Sequence, residues 1–398
     1  MSNGTSSNPF SSDCPCPGCF CGREKELATL RSYLENGANV VLTGVKGIGK
    51  RALIERLFRE QDFRKNFFCM HADLTRAASM QDLAEALVKA LQEALREDRG
   101  SPTVLSGPER VIYRLTGRLP SELRADARRD PFGAVDAFMT FFRSREIRAV
   151  LAFDGFERIA SLKEGSAEGR LRGHIQLSPH LRVVYAGNDF AELSSMFMSY
   201  RRPFYASSAF LNLADIPRAE FEQFAQARFR RTGRELPSEV FKRVYEFSHG
   251  HTETVRRLLH DLYETVGAGG TATAEDFECI LDAVLAEKDA EFCEFTACLS
   301  DSKLKLMTAV AETGPTTVSL DNAAFLSAHG LDVMDAEADS VALEKQGLIR
   351  RDFLAVGLSE RRIADPFLAE HLRRKEQWRR TGSSPQSKHS LPEARRDE

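Results

Sequence analysis

Short apolar runs alternate with longer amphipathic segments along the first half of the chain. Four runs rich in strand-forming residues predict buried β-strands. Leucines at positions 83, 87, 91 and 95 recur at helical spacing and predict an amphipathic helix between two of these runs. The alternation is typical of an α/β fold with a parallel sheet flanked by helices. The four runs are VVLT from Val40, NFFCMHA at 66–72, RAVLAFD at 148–154 and LRVVYA at 181–186.

The segment after the first run, GVKGIGK from Gly44 to Lys50, has the glycine spacing and the lysine of a phosphate-binding loop. Glycines allow successive backbone N–H groups to turn toward an anion, and the helical pattern that follows adds the dipole of a helix N-terminus. A glycine-rich turn without a ligand is the alternative, but the strand, the helix and the lysine together favour nucleotide binding. The candidate binding residues here are Gly44, Val45, Lys46, Gly47, Ile48, Gly49, Lys50, Arg51 and Ala52.

Position 51 departs from the phosphate-loop pattern. The pattern has a serine or threonine there, whose hydroxyl binds Mg²⁺, whereas this chain has Arg51. Binding of phosphates and their hydrolysis are therefore separate questions for this sequence.

Carboxylates follow the third apolar run. Asp154 ends that run, where a nucleotide-bound Mg²⁺ is held in proteins of this architecture, and we predict that Asp154 is the metal ligand. A simple helix N-cap is the alternative role. Gly155 occupies the position at which many ATPases with a phosphate-binding loop have a catalytic glutamate. Glu157, two residues later, can substitute for it only if the chain turns its side chain inward.

The fourth run is followed by Gly187 and Asn188. Asn188 is placed either to sense a γ-phosphate and orient water or to form an ordinary turn, since asparagine and glycine are common after strands. The sequence leaves both roles open.

Taken in order, these motifs resemble the archaeal-type ATPase family, which belongs to the STAND and AAA-like P-loop NTPases and is related to origin-recognition ATPases. The resemblance extends from Phe20 to about Leu372. FCGREKELATL, from Phe20, is similar to the family's N-terminal motif, which implies that Gly22 and Arg23 lie near the adenine. FSHGHTETV, from 247 to 255, is similar to the glycine turn of the family's helical lid, which implies that Gly250 lies near the nucleotide.

The resemblance implies ATP and Mg²⁺ as ligands and a P-loop NTPase fold followed by a helical lid and a C-terminal winged helix. It also makes the departures informative. PFYAS at 203–207 stands where the family often has PLYGR, so an arginine is missing, and the nearby Arg201 and Arg202 are the candidate replacements. We therefore predict a nucleotide-dependent switch with weak or absent hydrolysis. The alternative is an active ATPase, or a DNA-binding one, that uses Glu157 or arginines supplied in cis or in trans.

The expected domains follow from these motifs and from composition. They are a cysteine-rich disordered tail at 1–19, a P-loop nucleotide-binding domain at 20–214, a helical lid at 215–270, a winged-helix-like domain at 271–375 and a disordered tail at 376–398. The first tail contains Cys14, Cys16, Cys19 and Cys21, whose spacing fits an incidental cluster better than a usual zinc fold but leaves metal binding open.

Composition and charge limit the partners. A hydrophobic content of 42%, no apolar window long enough to span a membrane and no secretory signal indicate a cytoplasmic protein without membrane contact. The net charge of -3 gives no general attraction to nucleic acid. The predicted recognition helix at 333–345 is acidic, so a protein partner or self-association is favoured over DNA, although four nearby arginines keep DNA open. These are Arg350, Arg351, Arg361 and Arg362.

Overall fold

The computed structural model describes residues 8–11, 20–97, 104–105, 107–116, 119, 127–162, 167–314, 317–355 and 358–382. The chain divides into two compact units. The sheet unit comprises Cys16–Asp215. The helical unit comprises Ile216–Glu398 together with Met1–Pro15. Each unit is described below by itself.

The sheet unit is built on a five-stranded parallel sheet with the strand order β2-β3-β4-β1-β5. Four of the strands coincide with the four apolar runs, and the parallel α/β fold predicted from the sequence is confirmed. The buried residues of the central strands reach both faces of the sheet, as expected when helices cover both sides. The strands are β1 (Val40–Thr43), β2 (Phe68–Asp73), β3 (Ala149–Asp154), β4 (Leu181–Ala186) and β5 (Ala209–Asn212).

Helices pack against this sheet through two separate apolar cores. One core includes an aromatic group in which the ring centroids of Phe156 and Tyr185 are 4.5 Å apart. The other core contains Leu53, Ile54 and Leu57, which are buried on the helix after the glycine loop. The helices are α1 (Glu24–Glu35), α2 (Lys50–Phe58), α3 (Gln61–Asn66), α4 (Met80–Glu97), α5 (Gly107–Thr116), α6 (Pro131–Ser144), α7 (Ala167–Gln176) and α8 (Phe190–Met198), with a 3-10 helix at Phe156–Ser161.

Strand register brings polar residues together at the carboxyl edge of the sheet. Asp154 at the end of β3 is paired with Ala186 of β4 on one side and with Asp73 of β2 on the other. Leu42 of β1 is also paired with Ala186, so the glycine loop after β1 leaves the sheet at the same edge. Parallel strands therefore deliver the loop, Asp154 and the segment after β4 to one region.

The helical unit begins with three helices and a long fourth one. Its C-terminal part contains a two-stranded antiparallel hairpin, and Val318 adds a further antiparallel bridge to Arg361 of that hairpin. The elements are α9 (Arg218–Arg230), α10 (Ser238–Phe247), α11 (Thr252–Thr265), α12 (Ala274–Ala297), α13 (Asp301–Glu312), α14 (Ala323–Ala328), α15 (Val333–Lys345), β6 (Ile349–Ala355), β7 (Leu358–Ile363) and α16 (Pro366–Thr381). The order fits a winged helix, which remains a prediction.

Residues Asn8–Ser11 pack onto the helical unit, which differs from the disorder expected for positions 1–19. Phe10 is 2% exposed, and its ring contacts those of Phe224, Phe229 and Tyr263. Its carbonyl accepts a hydrogen bond from Arg256 at 2.7 Å, and Asn8 donates to the carbonyl of His260 at 3.0 Å. The polar residues around Phe10 gave no sign in the sequence that this segment packs against the helical unit. Cys14, Cys16 and Cys19 lie outside the described residues. The C-terminal tail after residue 382 also lies outside them.

In the part of the chain that the structure describes, no helix combines the length and apolarity needed to cross a membrane.

Candidate functional site

The glycine loop joins β1 directly to α2. Gly44, Gly47 and Gly49 all have positive φ angles, 147°, 79° and 100°, which residues with a Cβ rarely adopt. Gly49 is the N-cap of α2, so the loop ends where unpaired N–H groups and the helix dipole favour an anion. Lys46 and Ala52 are exposed, whereas Ile48 is buried against the core beneath the loop.

Lys50 is the buried cation of this loop, with 5% of its surface exposed. Its Nζ donates to the carbonyl oxygens of Gly44 at 2.7 Å and Val45 at 2.9 Å, and to Oδ1 of Asn188 at 2.7 Å. Burial lowers the pKa of Lys50 from 10.5 to about 8, although the carboxylates of Asp154 and Glu157 act in the opposite direction. The ammonium is thus held in a poorly solvated position, where an anion would compensate for the water that it has lost.

Arg51 occupies the position of the expected hydroxyl, and its side chain turns toward acidic neighbours. Its Nε donates to Oε1 of Glu55 at 2.8 Å, and its Nη1 lies 3.9 Å from Oδ2 of Asp73. The hydrogen bond to Glu55, together with the negative charges of Glu55, Asp154 and Asp73, raises the pKa of Arg51 despite partial burial. Arg51 therefore brings a permanent positive charge close to the predicted metal ligand.

Asp154 is half-buried at the carboxyl end of β3 and interacts electrostatically with both Lys50 and Arg51. A single carboxylate there suits Mg²⁺, which usually takes one or two protein carboxylates and completes its shell with waters and phosphate oxygens. The residues present fit that ion through Asp154, while Arg51 supplies no ligand atom. The predicted metal site is thus one protein oxygen short of the usual P-loop arrangement.

Glu157 does turn inward, as its substitute role requires. It lies on the 3-10 helix after β3, and its Oε1 accepts a hydrogen bond from the backbone N–H of Asn188 at 3.1 Å. Its Oε2 is buried without a hydrogen-bond partner. A Cβ on Gly187 would overlap this oxygen, so glycine at 187 is what allows the carboxylate to approach. Lys50, Asn188 and Glu157 consequently form one connected polar group, with Asn188 bonded to both charged residues.

Gly155 has a structural reason to be glycine. Its φ is 73°, and a Cβ built on it would lie 2.8 Å from Cα and 2.9 Å from N of Thr75. These are backbone atoms and cannot give way as a flexible side chain would. The position expected to hold a catalytic glutamate therefore has no room for any side chain in this backbone conformation.

Arg23 forms a hydrogen bond to the backbone of the glycine loop. It is 7% exposed, it has a positive φ of 72° as the N-cap of α1, and its Nη2 donates to the carbonyl of Ile48 at 3.3 Å. Its Nη1 is paired with Glu26 at 3.1 Å. Gly22, with a φ of 60°, forms the preceding turn. The structure thus connects Arg23 to the glycine loop, and an adenine contact for Gly22 and Arg23 stays a prediction.

The two arginines before PFYAS differ in their surroundings. Arg202 is bound by Glu168, with its Nε 3.1 Å from Oε2, and by Glu192, whereas Arg201 contacts only its neighbour Tyr200 in the interactions described. Of the pair, Arg201 is the one at the surface. A finger role for Arg201 remains a prediction. The same holds for Gly250, which belongs to the helical unit and has a φ of 73° beside the ring of Tyr245.

His71 was missed by the sequence interpretation. It lies on β2 two residues before Asp73, and its buried Nε2 has no hydrogen-bond partner. Burial lowers the pKa of His71, and the nearby Arg51 cation lowers it further. The available signal was the period-2 pattern of β2, which places His71 and Asp73 on the same face of the strand beside β3.

Comparison with known proteins agrees with this fold. A family model of the AAA ATPase domain matches residues 20–183. A Walker-type ATPase of Pyrococcus abyssi superposes with a TM-score of 0.62 at 16% identity, over 89% of this chain and 96% of that one. The ORC2 protein of Aeropyrum pernix, in ADPNP–ADP complexes, gives a TM-score of 0.57 at 15% identity, over 92% and 96%. No curated protein sequence is significantly similar to the chain. At these identities the structural likeness establishes the fold alone. Residues 20–183 thus match the AAA ATPase domain model, and the chain shares the fold of the archaeal Walker-type and ORC2 ATPases.

Proposed function

We propose that the protein binds ATP with Mg²⁺ and acts as a nucleotide-dependent switch whose hydrolysis is weak or absent. The observation that carries the proposal is the contrast between Lys50 and Gly155. The binding cation is present, buried and surrounded by loop carbonyls, whereas the backbone excludes a side chain at the usual position of the catalytic glutamate.

Binding is expected because Lys50 can exchange its hydrogen bonds to loop carbonyls for hydrogen bonds to phosphate. The carbonyls of Gly44 and Val45 hold the Lys50 ammonium at 2.7 and 2.9 Å, and phosphate oxygens offer it stronger, charge-assisted hydrogen bonds. The N–H groups at the start of α2 add further donors. Asp154 would hold the Mg²⁺, which when bound neutralises phosphate charge. Arg51 adds positive charge beside Asp154, and we expect it to favour a nucleotide phosphate as well.

Weak hydrolysis follows from three departures. A glutamate is excluded at position 155, a hydroxyl is absent at 51, and PFYAS has no arginine. Loss of one group that stabilises or positions the transition state typically costs about 10²–10³ in rate. These groups do not hold the phosphates through the backbone, so binding should be retained when turnover is lost.

An active ATPase is the second candidate, and the inward carboxylate of Glu157 specifically favours it. Oε2 is buried and unpartnered while Oε1 is bonded to Asn188, so the residue has one oxygen available to accept a proton. In that case Glu157 would take the role of the excluded glutamate, and Asn188 would help to position water.

For the helical unit, we propose a protein partner or self-association in preference to DNA. Two arginines expected to meet phosphates are occupied inside the unit: Arg361 is 3% exposed and bonded to Glu337 at 2.7 Å, and Arg351 lies 3.0 Å from Glu344. These acidic residues lie on α15, the predicted recognition helix. The same helix exposes Met334 (81%), with Val333 and Val341 also exposed. Neutralised arginines and exposed apolar side chains suit a protein surface better than a phosphate backbone.

Calorimetry and turnover assays on the full chain separate the candidates. ATP should bind in the presence of Mg²⁺, and Lys50→Ala should weaken binding at least about tenfold because a charge-assisted contact is lost. Lys89→Ala, which changes an exposed lysine on α4 outside the proposed site, is the control and should bind normally. Equal affinity for all three proteins would refute the proposed site.

Turnover is then measured with Asp154→Ala and Glu157→Gln. The switch proposal expects little Mg²⁺-dependent turnover in the parent protein. Sustained turnover that disappears in both variants would replace the switch with the ATPase candidate, since it would give Glu157 the role of base.

A further inference from the structure

A second cluster of metal-binding side chains lies in the helical unit and belongs to no part of the proposed nucleotide site. Asp289 and Cys293 are one turn apart on α12, and His371 faces them from α16. One ligand atom from each residue lies within 4.8 Å of the other two. We propose that this cluster, hereafter the α12–α16 cluster, is a Zn²⁺ site.

The distances inside the cluster fit a tetrahedral ion. Cys293 Sγ is 3.8 Å from Asp289 Oδ2, and His371 Nδ1 is 3.4 Å from Asp289 Oδ1. Zinc bonds of about 2.0–2.3 Å at tetrahedral angles place ligand atoms roughly 3.3–3.8 Å apart. The two distances run to different oxygens of Asp289, and the three ligand atoms within 4.8 Å of one another would have to move closer together around the ion.

The chemistry of the three groups also favours zinc. Thiolate, imidazole and carboxylate together are the ligand types of Zn²⁺, whereas Mg²⁺ and Ca²⁺ prefer oxygen alone. His371 is 5% exposed on its side chain, and its Nδ1 is the ring nitrogen that lies beside Asp289.

Lys375 of α16 contacts the α12–α16 cluster. Its Nζ lies 3.1 Å from Cys293 Sγ. Lys375 is exposed and can turn into solvent when zinc binds, and the thiol releases its proton to water at that step. Asp289 is 61% exposed on its side chain, so the open side leaves a fourth position for water.

Zinc binding there would fasten the last helix to the centre of the unit. An ion pair between Arg374 of α16 and Asp282 of α12, at 2.5 Å, joins the two helices two turns away. The metal would add a further link between the two helices, so zinc binding would stabilise the packing of α16.

The test uses the full chain with Cys14, Cys16, Cys19 and Cys21 all changed to serine, which removes the other cysteine cluster. Zinc ions alone are titrated against a chromophoric chelator, and Co²⁺ is used to detect thiolate ligation by its absorption. One equivalent should bind and should raise the midpoint of thermal unfolding.

Changing a direct ligand should cost more than the roughly 10- to 100-fold typical of an outer-shell partner. Cys293→Ser and Asp289→Asn therefore serve as the test variants, and the exposed position of Asp289 makes the second safe for folding. Cys298→Ser, at the exposed end of the same helix, is the matched control and should bind like its parent. Absence of zinc binding, or equal binding by the test variants and the control, would overturn the proposal.

Discussion

The burial of Lys50 predicts a measurable dependence of stability on pH. The unfolded chain holds this proton up to the ordinary lysine pKa of 10.5, whereas the folded protein releases it near 8. Between these values folding expels a proton, so the free energy of unfolding should rise with pH. At 1.36 kcal/mol per pH unit, the lowered pKa costs the folded state about 3 kcal/mol at neutral pH, relative to a lysine that keeps its ordinary pKa.

Lys50→Met isolates this contribution because methionine has similar length and no charge. The variant and the parent are unfolded with denaturant at pH 7 and pH 10, without nucleotide. Relative to the variant, the parent should gain more than about 2 kcal/mol over this range. Other groups, such as the buried Tyr185, titrate in both proteins and cancel in the difference.

The matched control is Lys46→Met, in which an exposed lysine of the same loop is replaced, and its difference from the parent should not change with pH. A constant difference for Lys50→Met would refute the reasoning, since burial would then have no effect on its proton. Nucleotide binding gives an independent check. Because phosphates favour the charged ammonium, ATP affinity should fall as pH rises above about 8.

Two further predictions concern stability. Phe10→Ala should lower the free energy of unfolding of the helical unit by about 3–5 kcal/mol, because a fully buried ring is removed, while the exposed Phe190→Ala should change stability by less than about 0.5 kcal/mol; equal effects in denaturant titrations would contradict the packing of Phe10. Gly155→Ala should cost roughly 2–4 kcal/mol through its positive φ and the overlap with Thr75, whereas Gly173→Ala, on an open helical face, should be neutral or slightly stabilising; thermal unfolding that leaves both variants alike would show that Gly155 is not constrained.

Local patterns were sufficient to predict the sheet and the phosphate loop. A strand of four apolar residues, glycines at fixed spacing and helical periodicity after Lys50 each depend on neighbours along the chain. The sequence could not decide whether Glu157 turns inward. That orientation depends on the absence of a Cβ at Gly187, thirty residues further along the chain. The confinement of Gly155 by Thr75 is likewise a contact between two strand ends.

Ion pairs between different helices and strands could not be predicted from the sequence either. Arg361 reads as a surface cation suited to phosphate, yet it is buried against Glu337 and Ser340 of α15. The acidic residues of that helix were correctly seen as unfavourable to DNA, but not as the partners of the arginines. A composition rich in serine similarly masked Phe10, because one aromatic residue has no periodicity to detect.

The attachment of Asn8–Ser11 to the helical unit determines when these residues can reach their final position during synthesis. Asn8 finds its acceptor at His260, 252 residues further on, so the ribosome must translate all of the sheet unit before this contact can form. At about 5–20 residues per second the wait is roughly 10–50 s. The sheet unit can fold in that interval, and the contacts of Asn8–Ser11 form only afterwards.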